Sequence, residues 1–127
     1  MNQAIFVLGE SEAYNANLKF TFELNGHTDV EVFLNDKDLL SNLYAEPQLV
    51  IMDFEATARD NQELVNMIQD LSPETKTVLL TEKQNFDEAI QYLSLNVFDI
   101  VVKDEIAFKK MNTIINTLTY YRQLLAS

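Results

Sequence analysis

The sequence has no cysteine, a single histidine and only two glycines. Without cysteine there is no disulfide, no thiolate nucleophile and no cysteine-held metal, and His27 alone cannot build a histidine metal cluster. Gly9 and Gly26 stand far apart, so phosphate-cradling loops of the GxGxxG or P-loop kind are absent and the nucleotide-binding reading falls away. Positive charge is scarce: 9 Lys and Arg face 20 Asp and Glu, a formal net charge of -11 at pH 7. Phosphate backbones are held by clustered Lys and Arg, so this balance argues against nucleic-acid binding and suits basic partners or cations. No apolar run approaches the length that spans a bilayer, and no basic segment followed by an apolar stretch opens the chain, so the reading is a soluble, non-membrane protein with the cytoplasm as default compartment.

What is present is an alternation. Short apolar runs are separated by longer amphipathic segments, the pattern of βα units on a mostly parallel sheet. Five strands are predicted: 4–8 (AIFVL), 29–34 (DVEVFL), 48–53 (QLVIMD), 76–81 (KTVLLT) and 98–103 (FDIVVK). Four are almost continuously apolar, as strands covered on both faces must be, while Glu31 marks the second as an edge. Helical stripes lie between them: Tyr14, Leu18 and Phe22; Leu39, Leu40 and Leu43; Leu64, Val65, Ile68 and Leu71; Phe86, Ala89, Ile90 and Leu93. The last is the longest, with Ala107, Met111, Ile114, Leu118, Tyr121 and Leu125. All are read as core. At 127 residues this is one domain, 1–127, predicted as a three-layer α/β/α sandwich.

Polar residues collect after the apolar runs: Gly9-Glu10, Asp53, Thr81 and Lys103. In a doubly wound sheet of order 2-1-3-4-5 the carboxyl ends of the strands form one edge, with a ligand crevice between the first and third strands where the order reverses. Glu10 and Asp53 would meet there and repel unless a cation such as Mg²⁺ lay between them. Lys103 supplies a point charge and Thr81 a hydroxyl, the groups that hold phosphoryl oxygens. Taken singly, each is a commonplace cap or strand end; it is their joint occurrence in chain order that points to a site.

These residues resemble the receiver domain of two-component response regulators (CheY-like superfamily), over the whole chain. LVIMDFEAT matches the family's phosphoacceptor strand, TVLLTE its Ser/Thr strand and FDIVVKD its Lys strand. The resemblance implies that Asp53 accepts a phosphoryl group from a histidine kinase or phosphotransfer protein, without the chain being an enzyme itself. It further implies that Mg²⁺ is held by Glu10, Asp53 and the backbone carbonyl of Glu55, that Thr81 and Lys103 bind the phosphoryl oxygens, and that a downstream partner or output domain reads the change. The output face would include Phe86, Ile90, Ile100, Lys109 and Tyr120, and could also carry a homodimer. Several positions depart from the family. Gly9 replaces the first acid of its acidic pair, weakening the metal site; Asp104 replaces a Pro after the Lys, so the peptide is expected trans; Ile100 replaces a switching aromatic; Thr57 stands where Pro is common; Glu82 replaces a small residue.

Two other readings stand beside it. A receiver-fold module that takes no phosphate and acts only as a protein-interaction surface fits the missing acid and Ile100. DFEAT also resembles the DxDxT motif of haloacid-dehalogenase-like phosphatases, with Glu55 as general acid and base, but those enzymes place the nucleophile strand first and need an acidic pair after the Lys, where nothing acidic follows Glu105. His27, in the turn before the second strand, is read as surface decoration.

Overall fold

The structure, a computed structural model, describes residues 3–55 and 60–126. Five strands, β1 (Ile5–Leu8), β2 (Val30–Phe33), β3 (Leu49–Asp53), β4 (Lys76–Thr81) and β5 (Asp99–Val102), pair in the order β2-β1-β3-β4-β5. Every pairing is parallel. Each strand therefore needs a crossover, supplied by α1 (Glu12–Leu24), α2 (Asp36–Ser41), α3 (Asn61–Leu71) and the short α4 (Phe86–Ala89), with α5 (Ala107–Ala126) closing the chain.

The period of two along a strand divides the core into two layers. Phe6, Leu8, Val50, Met52 and Leu79 face Leu39, Leu64, Val65 and Ile68, so α2, α3 and α4 cover one side of the sheet. Ile5, Val7, Leu49, Ile51, Val78, Leu80 and Val101 face Leu18, Phe22, Met111, Ile115 and Leu118, so α1 and α5 cover the other. Glu31 lies exposed on β2, at one edge of the sheet, as its sequence requires. Side-chain caps open three of the helices: Ser11 accepts from the Tyr14 amide, Asn35 from that of Asp38 and Asp60 from that of Gln62. Gly26, at φ 90°, makes the turn out of α1 that residues with a side chain adopt only under strain. None of the helices among the described residues is long and apolar enough to cross a membrane.

Three expectations need correction. The fourth helix is a single α-turn flanked by 3₁₀ turns at Lys83–Asn85 and Ile90–Leu95. Winding at three residues per turn rather than 3.6 turns Ala89 and Tyr92 inward, while Ile90 and Leu93 face outward, 40% and 44% exposed. The stripes on α3 and α5 also overrun the core: Leu71, Tyr121 and Leu125 are exposed. Lastly, His27 is half-buried rather than decorative. Its Nε2 lies 2.7 Å from Asn112 Oδ1, and its ring meets Phe22 edge-on at 6.2 Å, so it pins the α1–β2 turn to α5. A double-mutant cycle of His27→Ala and Asn112→Ala, read by urea unfolding, should show a coupling of about 1 kcal/mol; strictly additive effects would mean the contact contributes nothing.

Candidate functional site

Parallel register sets the site. Leu8 pairs with Met52, Asp53 with Leu80 and Thr81 with Val102, so the residues that end β3 and β4, and those that follow β1 and β5, lie along one rim. Lys103, just past β5, reaches across β4 to place its Nζ 2.5 Å from Asp53 Oδ2 and 3.6 Å from Glu82 Oε1. It also lies 5.4 Å from the centre of the Tyr14 ring, a cation–π contact. Thr81 is fully buried between them. The acid at one strand end, the amine at another and the hydroxyl of the strand between them thus converge.

Glu55 enters this group through its side chain, whereas the receiver resemblance assigned only its backbone carbonyl. Its amide donates to Asp53 Oδ1 at 3.1 Å, closing the turn after β3. Its Oε1 receives a 2.6 Å hydrogen bond from Asn85 Nδ2 and a 3.4 Å one from the Glu82 amide. Thr81 Oγ1 lies 3.4 Å from the same oxygen and 3.1 Å from the Glu82 carbonyl, and its one proton serves one acceptor at a time. Asn85 was missed altogether. Its only sequence signal is an amide four residues past a strand-ending Thr, in a turn whose course toward Glu55 depends on the 3₁₀ winding.

Burial and hydrogen bonding, with charge behind them, explain the titration of the group. Burial, and then the hydrogen bond with the facing Glu55 carboxyl, push the Asp53 carboxyl above its ordinary value in spite of Lys103. Burial works in the same direction on Glu55 but is outweighed by hydrogen bonds from Asp53, Asn85 and the Glu82 amide, so Glu55 falls. Burial would lower Lys103, and its hydrogen bond and attraction to Asp53, with Glu55 and Glu82 behind, raise it instead. The partners Asp53 and Lys103 both move up, which a simple pair would not do; burial of Asp53 first, and then the facing Glu55, account for it. Burial first, opposed by Lys103, raises the Tyr14 phenol.

Glu10 is exposed after β1 and makes no hydrogen bond or ion pair with another described residue. Gly9 is buried, and its carbonyl accepts from Nδ2 of Asn15, itself 3% exposed, at 2.8 Å. A Cβ at position 9 would stand 2.6 Å from Asn15 Oδ1. The space of the missing acid is thus filled by an α1 carboxamide, and Gly9→Asp would have to displace it. No group of three His, Asp or Glu side chains able to hold a metal occurs among the described residues. Mg²⁺ asks less than that, one or two carboxylates with water completing its shell, and the half-buried Asp53 carboxylate on this rim is a donor of that kind. Thr57 lies outside the described residues. The peptide between Lys103 and Asp104 is trans, as expected without proline.

The output-face residues all lie outside the two core layers' centres. Phe86 is half-buried and lines a 630 Å³ groove with Val102 and Lys103. Ile100, half-buried, and Lys109, exposed, line a second groove with Ile106 and Ile114. Ile90 and Tyr120 are exposed.

Because the Lys103 pKa is raised, the stability it contributes is fully present below the amine's ordinary 10.5 and is lost as pH rises through its higher folded value. Lys103→Met should therefore be less stable than wild type from neutral pH upward, with the gap closing at strongly alkaline pH in urea melts. A gap independent of pH would show that the amine's charge is not what holds Asp53.

The profile of the response regulator receiver domain matches residues 5–116. A search among curated proteins finds no match. Among solved structures, a response regulator receiver domain protein from Clostridium thermocellum is similar at TM-score 0.84 and 20% identity, over 98% of this chain and 99% of that one. The REC domain of AraT, a response regulator from Geobacillus stearothermophilus, is similar at TM-score 0.82 and 12% identity over 100% of both chains. NtrX from Brucella abortus is similar at TM-score 0.81 and 17% identity, over 99% of this chain but 29% of that one. At such identities these structures share the fold; the profile, which spans most of the chain, identifies the family. The rim where Asp53, Thr81 and Lys103 meet is therefore the rim of a response regulator receiver domain, and the chain belongs to that family of two-component signalling modules.

Proposed function

We propose that Asp53 is the phosphoacceptor of this domain. The observation that carries the reading is the convergence of a nucleophilic carboxylate, a lysine amine 2.5 Å from it and a buried hydroxyl on one sheet edge. In the reaction an Asp53 carboxylate oxygen attacks phosphorus of a phosphohistidine on a histidine kinase or phosphotransfer protein. The oxygen–phosphorus bond forms, the phosphorus–nitrogen bond breaks, and the departing imidazole takes a proton from solvent. Lys103, already at the carboxylate, transfers its contact to a phosphoryl oxygen, and Thr81 supplies a hydroxyl to another. Glu10, Asp53 and the Glu55 carbonyl would hold Mg²⁺, whose charge, when bound, offsets that gathered on the transferring group. The chain is a substrate of phosphoryl transfer rather than an enzyme with turnover of its own, and works in the cytoplasm.

Output is assigned to the surface bearing Phe86, Ile90, Ile100, Lys109 and Tyr120, where a downstream protein, an output domain or a second copy docks. Support comes from exposed apolar side chains on the same elements: Ile90, Leu93, Phe98 and Ile106 are each at least 40% exposed. Ile100 packs on the α3–α4 core layer from β5 and pairs with Leu79 of β4, two residues before Thr81, so this surface adjoins the strand that carries the hydroxyl.

Incubation with acetyl phosphate and Mg²⁺, followed by intact mass, should add one phosphoryl group to wild type and none to Asp53→Asn. Failure of wild type to gain mass at any Mg²⁺ concentration would point instead to a phosphorylation-independent interaction module.

A further inference from the structure

Glu55 does something that the transfer of a phosphoryl group does not require. Its side chain folds back over Asp53 and sets Oε1 where an Asn85 carboxamide at 2.6 Å and the Glu82 main-chain amide at 3.4 Å converge, with Thr81 Oγ1 at 3.4 Å. An amide and a carboxamide donating to a single oxygen, with a hydroxyl beside it whose proton is shared with the Glu82 carbonyl, form an anion cradle. All three come from β4 and the turn after it, about thirty residues from Glu55 in the chain, so the contact is tertiary and not a local turn. The Asn85 carboxamide, at 2.6 Å, is the closest of the three to the Glu55 oxygen.

We propose that the Glu55 carboxylate is an internal occupant of the phosphoryl-oxygen cradle, so that an incoming anion binds only by expelling it. The inference rests on the reading of this rim as the phosphoryl site. Its consequences differ from those of a simple acceptor site. Before phosphorylation the β4–α4 turn is already held around an anion, with Asn85 and the Glu82 amide satisfied. Phosphorylation exchanges one tenant for another, which narrows the conformational difference between the two states and sets a threshold against weak phosphodonors. Glu55 is exposed as a residue while its Oε1 is engaged, so the side chain can swing out to solvent without disturbing either core layer. The released Asn85 carboxamide and Glu82 amide then face the entering group.

The test uses beryllofluoride with Mg²⁺ as the probe anion, read by fluorine NMR and by the Glu82 amide resonance in wild type, Glu55→Gln and Glu55→Ala. Glu55→Ala should bind the probe at least tenfold more tightly than wild type, and Glu55→Gln, which keeps the shape and loses the charge, should fall between. The Glu82 amide should shift in Glu55→Ala without probe and return toward its wild-type position when beryllofluoride is added. Equal affinity in all three proteins would overturn the proposal while leaving Asp53 as phosphoacceptor. Absence of binding in all three would overturn both.

Discussion

The contact between Lys103 and Asp53 organises the rim of this molecule. It joins the residue ending β3 to the one following β5 across the top of β4, so it forms only when the three strands are parallel, adjacent and in register. Both side chains are mostly buried, 16% and 15% exposed, and removing water from two charges costs more than a loose attraction returns. A 2.5 Å contact compensates for that cost, and the surrounding bonds, from the Glu55 amide to Asp53 and from Tyr14 to the amine, fix its geometry. One lysine nevertheless answers three carboxylates, those of Asp53, Glu55 and Glu82. Burial first, and then the facing Glu55, raise the Asp53 carboxyl, and a site so built favours a proton or a hard cation.

The fold was legible in the sequence to within a residue or so at most strand ends, for a physical reason. Strands buried on both faces must be continuously apolar, and β1, β3 and β4 carry few polar residues between their turns. The same logic exposed Asp53, Thr81 and Lys103, since a polar residue that ends such a run is conspicuous. Side-chain direction was not legible. That Glu55 would fold over Asp53 and find Asn85 depends on a tertiary meeting that no local pattern records. The winding of the segment from Lys83 to Leu95 was misread because apolar residues at 86, 89, 90 and 93 satisfy a 3.6-residue period, while Phe86, Ala89, Tyr92 and Leu95 satisfy a three-residue one equally well. His27 was misjudged for a related reason: its partner Asn112 lies 85 residues away.

Gly9 shows how an apparent deletion of function is repacked. The lost acid leaves no hole, because Asn15 moves a carboxamide over the glycine and bonds its carbonyl. Together with Glu55 in the cradle, this makes a rim whose polar groups are largely satisfied from within the chain. The apolar side chains on the α4–β5 side flank that rim, with Ile100 packed against one core layer and lining a surface groove.

In the proposed reading, distant stretches of chain close on a single anion whose place Glu55 now takes. A crystal structure of the beryllofluoride complex at Asp53 tests it most directly. The account predicts fluorine atoms within hydrogen-bonding distance of Thr81 Oγ1 and Lys103 Nζ, with the Glu55 carboxylate swung away from Asn85 and the Glu82 amide. Beryllofluoride seated on Asp53 with the Glu55 bonds intact, or with Lys103 turned away from it, would contradict the account.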